Sequence, residues 1–352
     1  MDVAIVAAAR FAISEPFAGG MEAHTHALAD GLAERGHDVT VYAAGGAGRF
    51  AVEAMIPVAF EASDNARRDV SAGPDSALAE HHSYLDALLR LTRARHQLVH
   101  VNAVHHLPFA CSPLIPSVVS GTLHSPPTPW LESALALAAR HANPPKLVSV
   151  SHSNAAAWHT VDVSRVIANG VDPDVWRAGP GGPGAVWSGR IVPEKAPHLA
   201  IEAARLAAVP LSLIGPIHDH CYFQDEVRPL LGDGVEYLGH RGSADVADIV
   251  GRSGVAVVTP TWEEPFGLVV TEALSCGTPV AGFARGALPE LIDADTGVLA
   301  EPDDVPALAT AMLDAATLRR RDCRARAERN YSATAMIDAY EAWFVELIDE
   351  RN

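Results

Sequence analysis

The chain of 352 residues carries 26 basic and 43 acidic residues, which gives a formal net charge of −17. This acidity disfavours nucleic acid and anionic membranes as main partners, although a few local cations are enough to hold one small anion. At roughly 100–200 residues per domain the length predicts two domains, and a hydrophobic content of 49% is that of a globular protein with full cores.

Cysteine spacing and the N-terminus indicate a reduced, cytoplasmic protein. The four cysteines, at positions 111, 221, 276 and 323, form no Cys-x-x-Cys pair, so zinc and dithiol chemistry have no support from spacing. The apolar N-terminal run follows Asp2 rather than a basic segment, and it is shorter than the ~20 residues of a membrane span. We therefore interpret it as a buried strand and expect no membrane span.

The first half of the chain alternates strand and helix patterns. Val3–Ala9 is a continuous apolar run, typical of a strand that is covered on both faces. A loop with Ala18–Gly20 follows, and the apolar spacing after Met21 predicts a helix that ends at Gly36. Asp38–Ala44 is the next strand, so this βαβ unit indicates a parallel sheet.

A break in the middle of the chain separates two such series. Strands in LVHVNAVHH, SVVSGTLH and KLVSVSH and a helix in LESALALAARHA precede the turn signals of Asn169–Trp176 and the Pro/Gly-rich Ala178–Ala185, where we place the interdomain connection. A second series follows, with strands in AVWSGR, LSLIGP, VEYLG, VAVVTP and TPVAGF, and the tail Ala333–Ile348 is an amphipathic helix. The pattern predicts an α/β fold of two doubly wound, Rossmann-like domains facing across a cleft, with ligands beyond the C-terminal strand ends.

The stretch EEPFGLVVTEALSCGTPV, Glu263–Val280, predicts a phosphate site where a helix begins after a strand and loop. Free N–H groups and the helix dipole at Phe266–Leu268 attract phosphate, and Gly267 allows close approach. Glu272 lies more than one turn further along, where it would repel phosphate but could accept hydrogen bonds from ribose hydroxyls. Glu264, in the loop, could reach the far side of a bound diphosphate.

Two cations and two glycines complete the candidate phosphate site. Arg190 and Lys195 follow a strand around a turn, and together they can neutralise a diphosphate both on binding and as a leaving group develops charge. Gly19 and Gly20 follow the first strand and allow a loop to approach a ligand from across the cleft. A dinucleotide site is the competing interpretation of these glycines, but no G-x-G-x-x-G follows the first strand.

Taken together, these motifs resemble the retaining GT-B glycosyltransferases of glycosyltransferase family 4. The resemblance lies in the E-x7-E pattern from Glu264 to Glu272, in GGMEAHTHALADGLAERGHDVTVY, in IANGVDPDVW and in SGRIVPEKAPHLAIEA. It implies an acceptor-side domain over residues 1–168, with a returning helix at about 333–352, and a nucleotide-sugar-binding domain over 169–332. One departure is Ala196, where the family usually has glycine.

The resemblance also implies roles for further residues. His124, at the end of a strand, matches a family histidine near the donor sugar, and it would position that sugar. Backbone near Gly239 would touch the nucleobase, with His240 and Arg241 as weaker candidates. No metal and no bound cofactor are expected, because helix N-termini and basic side chains replace a cation in GT-B enzymes. None of the close histidine pairs has the spacing of a helical zinc site; these pairs are His24/His26, His81/His82, His105/His106 and His218/His220.

The function that we predict is transfer of a hexose from UDP- or GDP-hexose to an acceptor hydroxyl with retention of anomeric configuration. Glu264 would face the donor sugar and Glu272 the ribose, as positioning groups rather than as nucleophile and acid. A nucleotide-sugar epimerase and a non-catalytic nucleotide-sugar binder are the alternatives. A glycogen-type phosphorylase would need a pyridoxal-binding lysine, and neither Lys146 nor Lys195 is suitably placed.

The acceptor and the oligomeric state are left open. Acceptor contacts are expected from the loops Arg10–Glu15, Phe50–Pro74 and Pro126–Trp130 of the first domain.

Overall fold

The computed structural model describes residues 1–69 and 73–351, and the first part of the chain forms a seven-stranded sheet. Its strands are β1 (Asp2–Val6), β2 (Asp38–Ala43), β3 (Ala51–Ala54), β4 (Leu98–Val101), β5 (Val118–Leu123), β6 (Lys146–Ser149) and β7 (Val163–Val166). They pair in parallel in the order β3-β2-β1-β4-β5-β6-β7. The strand order reverses between β1 and β4, so a crevice opens there beyond the C-terminal strand ends.

The helices connecting these strands cover both faces of the sheet. They are α1 (Gly20–Glu34), α2 (Asp75–Leu91), α3 (Leu107–Ala110), α4 (Pro129–Ala138) and α5 (His152–Ala157). Side chains of β1 alternate between the two faces: Val6 packs in one core cluster with Leu88 of α2, and Ile5 packs in another with Leu28 of α1. Because both faces are buried, the continuous apolar run at the N-terminus is a strand, as the sequence predicts.

The second part of the chain forms a six-stranded sheet in which every pairing is again parallel. Its strands are β8 (Ala185–Ser188), β9 (Leu211–Ile214), β10 (Val235–Tyr237), β11 (Val255–Val258), β12 (Val280–Phe283) and β13 (Gly297–Ala300), in the order β10-β9-β8-β11-β12-β13. The helices are α6 (Pro197–Leu206), α7 (His220–Tyr222), α8 (Ser243–Gly251), α9 (Leu268–Ser275), α10 (Leu288–Leu291), α11 (Val305–Ala315), α12 (Arg320–Asn330) and α13 (Ala333–Asp349). The prediction of an α/β fold with two doubly wound sheets is confirmed.

The last helix, α13, packs on the first sheet rather than on the second. Ile337 of α13 lies against Gly31 of α1, where an added Cβ would sit 2.2 Å from the isoleucine side chain. The Tyr340 hydroxyl pairs with the Thr122 hydroxyl of β5 at 2.8 Å. This packing matches the expected returning helix. The predicted domain boundary between residues 168 and 169 falls in the segment between β7 and β8, and it stays a prediction.

The predicted acceptor loop Phe50–Pro74 is not a loop throughout. Ala51–Ala54 pairs with β2 as the edge strand β3, and residues 70–72 lie outside the described residues. The run Ala51–Ala54 is only four residues long and too short to show a strand pattern, so its extended form depends on pairing with β2. Among the described residues, no helix is long and apolar enough to cross a membrane.

Candidate active site

A cavity of about 710 Å³ lies between the two sheets, at the C-terminal ends of their strands. Loops after β1, β4 and β5 line one side, and loops after β8, β9 and β11 line the other. The volume falls in the range of small-molecule sites, roughly 300–1,000 Å³. The predicted site residues that line it are Gly19, Gly20, His124, Arg190, Lys195, His240, Arg241, Glu264, Phe266, Gly267, Leu268 and Glu272.

Gly239 is the predicted site residue that the structure leaves outside this lining. Its φ of +81° is left-handed, and its carbonyl accepts a hydrogen bond from the Gly215 N–H at 3.0 Å. Gly215, which the sequence analysis did not select, lines the cavity in its place. It lies so close to the end of β8 that an added Cβ would sit 1.8 Å from the Gly189 carbonyl oxygen. Gly215 is therefore the glycine that lines the cavity after β9, and contact of the Gly239 backbone with a nucleobase stays a prediction.

Lys195 and Glu264 form an ion pair at the centre of the cavity. Lys195 ends a one-turn helix over Pro193–Lys195, and its ammonium donates to the Glu264 carboxylate. Trp262 Nε1 donates to the same carboxylate oxygen at 3.1 Å, and its ring lies 5.3 Å from the Lys195 ammonium. Glu264 is only 7% exposed, so the two donors compensate a buried negative charge.

A turn after β12 holds the loop that carries Glu264. The Ala287 N–H donates to the Glu264 carbonyl at 2.8 Å, and the Gly286 N–H donates to the Glu263 carboxylate at 2.9 Å. Gly286 has a φ of +56°, and an added Cβ would lie 2.2 Å from the Glu264 carbonyl oxygen. The backbone of the glutamate loop is therefore set by a contact that only glycine permits.

Gly267 is the N-cap residue of the helix α9. Gly267 and the first two helix residues, Leu268 and Val269, line the cavity. The Gly267 φ of +94° and ψ of 60° are left-handed, which explains the glycine at the junction of loop and helix. The first N–H groups of α9, at Leu268 and Val269, have no acceptor within the helix by their position. The Phe266 side chain is buried in a core cluster of the second domain together with Val270 and Leu274 of α9. Its backbone is therefore the part that can face a ligand.

The two domains approach each other at the N-terminus of α1. An added Cβ on Gly19 would lie 3.5 Å from Cδ of Arg190 and 3.2 Å from a carboxylate oxygen of Glu22. Gly20 faces Leu268 at 3.6 Å by the same measure. Burial raises the pKa of Glu22, and the nearby Arg190 charge partly offsets this rise. Glu22 was not among the predicted site residues, although it lies two positions after Gly20.

His240 and Arg241 each hold a backbone carbonyl. His240 Nε2 contacts the Phe17 carbonyl of the first domain at 2.9 Å, and Arg241 Nε donates to the Leu238 carbonyl at 2.9 Å. His240 therefore bridges the two sides of the cleft.

His124 lines the cavity and belongs to a polar cluster with the buried Asn102 and His24. Its Nε2 contacts Asn102 Oδ1 at 2.8 Å, and its ring meets the edge of the buried His24 ring at 4.8 Å. Burial, followed by the nearby imidazoles of His24 and His100, holds the pKa of His124 well below its ordinary value. The imidazole is therefore neutral at pH 7, which suits a positioning group better than a general acid.

Glu272 lies partly buried in α9 at the cavity surface, and no described residue hydrogen-bonds its carboxyl group. Burial raises its pKa from 4.5 to about 8. At pH 7 most of the free protein therefore carries Glu272 in its neutral form, which can both donate and accept hydrogen bonds.

We expect Glu272→Gln to remove one component of the pH dependence of stability. The folded-state pKa lies above the ordinary value, so the folded protein binds more protons than the unfolded chain between pH 4.5 and 8. Wild type should lose stability relative to the glutamine variant as pH rises through this range, by up to ~1.4 kcal/mol per pH unit. Urea unfolding at pH 5, 6.5 and 8 measures the difference, and a constant difference would contradict the raised pKa.

The described residues hold no group of three or more histidine, cysteine, aspartate or glutamate side chains placed to bind a metal ion. Metal independence remains a prediction, since it concerns activity rather than geometry.

Two family models match consecutive parts of the chain. The model described as Glycosyltransferase Family 4 matches residues 18–175, and the model described as Glycosyl transferases group 1 matches residues 174–332. Together they span residues 18–332, which include every strand after β1 and all the motifs on which the resemblance was based.

Relatives of similar length support the same assignment. A glycogen synthase of Mycobacterium tuberculosis is 28% identical over 363 residues, covering 88% of this chain and 86% of its own. A D-inositol 3-phosphate glycosyltransferase of Actinosynnema mirum is 28% identical over 349 residues, covering 80% of each chain. Among solved structures, that of Anabaena HepE in complex with UDP and glucose superposes with a TM-score of 0.76 at 20% identity, over 98% of this chain and 99% of that one.

Two doubly wound parallel sheets with a small-molecule cavity between their strand ends define a GT-B fold, and the structural neighbours share it. The two matched models together cover residues 18–332, so the chain belongs to the glycosyltransferases of Family 4 and group 1. The predicted family and enzyme class are confirmed.

Proposed function

We propose that the protein is a retaining hexosyltransferase that uses UDP- or GDP-hexose as donor. The observation that carries this proposal is the convergence of Arg190, Lys195 and the first turn of α9 on one cavity that also holds the Glu264 carboxylate. Two cations and a helix N-terminus match the charge of a nucleoside diphosphate, both in the bound donor and in the leaving group.

The second domain binds the donor in this proposal. Arg190 and Lys195 face the diphosphate from the β8 side, and the Leu268 and Val269 N–H groups face it from the α9 side. Glu272, further along α9, hydrogen-bonds the ribose hydroxyls, and Gly215 lets the chain pass close to the nucleoside. Lys195 shifts part of its interaction from Glu264 to the diphosphate, which leaves Glu264 able to accept from a sugar hydroxyl.

Sugar transfer proceeds on one face of the donor. The bond between the anomeric carbon and the diphosphate oxygen breaks, and the acceptor oxygen bonds to that carbon from the same side. The acceptor proton passes to the departing phosphate oxygen, so no protein nucleophile is needed. Arg190 and Lys195 stabilise the charge that develops on the diphosphate, and closure of the cleft around His124 and Glu22 excludes water.

The names of relatives give a direction for the donor. The Anabaena structure contains UDP and glucose, and another structure of the same protein contains UDP-glucose. UDP-glucose is therefore the first donor to test, with GDP-mannose as the comparison. The names of the curated relatives mention glycogen and D-inositol 3-phosphate. These two compounds differ too much from each other to indicate the acceptor of this protein.

A screen of donor hydrolysis and binding tests the proposal. Purified protein is incubated with UDP- and GDP-hexoses, release of nucleoside diphosphate is followed, and calorimetry measures binding. We expect one nucleotide series to be bound and slowly hydrolysed, with the liberated sugar first appearing in the donor's anomeric configuration by NMR. If no donor is bound or turned over, the proposal fails.

The same assay separates the alternatives. An epimerase would convert the sugar without lasting loss from the nucleotide, and a non-catalytic binder would bind without turnover. A cytoplasmic location stays a prediction.

A further inference from the structure

A row of four stacked rings leads from the first-domain side of the cavity to the surface. Ring centroids are 4.2 Å apart between Tyr84 and His105, 4.5 Å between His105 and His106, and 4.7 Å between His106 and Trp130. The interplanar angles are only 18°, 24° and 28°. Tyr84 and His105 line the cavity, whereas Trp130 at the outer end is 69% exposed. We call these four residues the aromatic row.

The aromatic row is built from three rigid elements. The Tyr84 hydroxyl, on α2, donates to the Ala7 carbonyl at 3.2 Å beyond the end of β1. His105 follows β4, and its Nδ1 accepts a hydrogen bond from the Leu107 N–H at 3.2 Å. Trp130 lies in the first turn of α4, whose N-cap is Thr128. Because the rings are fixed before any ligand arrives, binding against them costs little side-chain entropy.

The charged side chains that line the cavity from the first domain do not favour an anionic ligand. Arg10 Nε donates to Glu80 Oε2 at 2.8 Å, and both residues line the cavity. Among the described residues that line it from the first domain, Arg10 is the only lysine or arginine, and Glu22 adds a further carboxyl group. Burial lowers the pKa of His105 to about 4, so this ring adds no charge at pH 7.

A phosphate on the acceptor would therefore meet a cation that already has a partner. An Arg–carboxylate pair has instead both N–H donors and oxygen acceptors at close quarters, which matches the hydroxyl groups of a sugar. Tyr84 is only 2% exposed and the two histidine rings stack between their neighbours, so the ring face left for a pyranose is the outer face of Trp130, which His106 does not cover.

We propose that the Arg10–Glu80 pair and the aromatic row bind an uncharged oligosaccharide or glycoside acceptor. The sugar that receives the new bond contacts the Arg10–Glu80 pair within the cavity. A unit further along the oligosaccharide stacks on the exposed face of Trp130, two ring spacings of 4.5 and 4.7 Å beyond His105. The inference rests on the proposed glycosyltransferase function and deepens it by naming the acceptor class.

A comparison of acceptors with the established donor tests the inference. A neutral monosaccharide and a longer neutral oligosaccharide, methyl glucoside and maltotetraose, are compared with glucose 6-phosphate and inositol phosphate by kcat/KM. We expect the best neutral sugar to exceed both phosphorylated compounds at least about tenfold, and the oligosaccharide to exceed the monosaccharide. Equal or better use of a phosphorylated acceptor overturns the inference.

Two variants test the residues. Trp130→Ala should raise KM for the oligosaccharide about tenfold and change KM for the monosaccharide little. Leu137→Ala is the matched control, because Leu137 is an exposed apolar residue on the same helix. Glu80→Gln leaves Arg10 without its carboxylate, and it should increase use of glucose 6-phosphate relative to methyl glucoside. If Trp130→Ala affects both acceptors alike, or Glu80→Gln leaves the preference unchanged, the inference is wrong.

These outcomes are distinct from failure of the proposed function. Donor hydrolysis without transfer to any neutral sugar rejects the acceptor class and leaves the donor reaction standing. Absence of both donor binding and hydrolysis rejects the proposed function itself.

Discussion

Arg190→Met and Lys195→Met should each reduce kcat/KM for donor hydrolysis by about 10²–10³-fold, since each removes a charge that stabilises the leaving diphosphate. The two variants should differ in stability. Lys195 compensates the buried carboxylate of Glu264, whereas the ion-pair contact of Arg190 within the described residues is a long one, 4.0 Å to Glu194. Leaving a buried charge unpaired costs about 3 kcal/mol, so Lys195→Met should also unfold at a lower urea concentration.

Arg252→Met is the control for both variants. Arg252 is an exposed arginine of the same domain that pairs with Asp248 one helical turn away, and it lies outside the cavity lining. Its replacement should leave kcat/KM and stability unchanged within error. An unchanged kcat/KM in Arg190→Met would remove this residue from the diphosphate site, and equal unfolding midpoints for the two methionine variants would contradict a buried Lys195–Glu264 pair.

Glu264→Gln should reduce kcat by about 10²-fold while nucleoside diphosphate binding is kept or becomes tighter. Glutamine can still accept the Trp262 N–H, which lies 3.1 Å from the carboxylate in wild type. It cannot neutralise Lys195, so the ammonium becomes fully available to the diphosphate. Calorimetry with UDP and GDP and steady-state kinetics measure the two effects separately.

Glu263→Gln provides the matched control for Glu264→Gln. Glu263 is the adjacent exposed carboxylate, and it contacts the Gly286 N–H rather than the cavity. A full kcat in Glu264→Gln would exclude a role in turnover. Accumulation of a covalent glycosyl-enzyme at Glu264 in wild type would instead make this residue a nucleophile and overturn the same-face mechanism.

The double variant Lys195→Met/Glu264→Gln separates stability from function. The double variant lacks the Glu264 carboxylate that Lys195→Met leaves buried without a partner. Most of the stability lost in Lys195→Met should therefore return. Activity should stay low, because the diphosphate still lacks the lysine. Recovery of activity together with stability would mean that Lys195 acts on folding alone.

Much of the fold and the donor-side site could be predicted from the sequence, because the relevant signals are local. Continuous apolar strands bounded by Gly and Pro indicate parallel sheets, and Gly267 at a strand–loop–helix junction indicates a phosphate site. Arg190 and Lys195 lie on one turn, so their proximity follows from five residues of chain. The short strand Ala51–Ala54 was missed because its extended form depends on pairing with β2 rather than on its own residues.

The partners of these residues could not be predicted, because they come from distant parts of the chain. The position of the Glu264 carboxylate depends on the ion pair with Lys195, 69 positions away, and the position of its backbone depends on the close contact with Gly286. The aromatic row joins the ends of β4 and α4 to α2, and no spacing in the sequence relates Tyr84 to Trp130.

The sequence by itself determined the class of fold, the family and the donor-side motifs, since periodicity, turn residues and capping glycines act over a few neighbouring positions. The tertiary structure alone decided which charges are already paired and which strand end meets the cavity. It placed Gly215 rather than Gly239 at the lining, and it joined Arg10 to Glu80 across the first domain. The physical reason is that burial and electrostatic pairing depend on distances in space, which sequence separation does not encode.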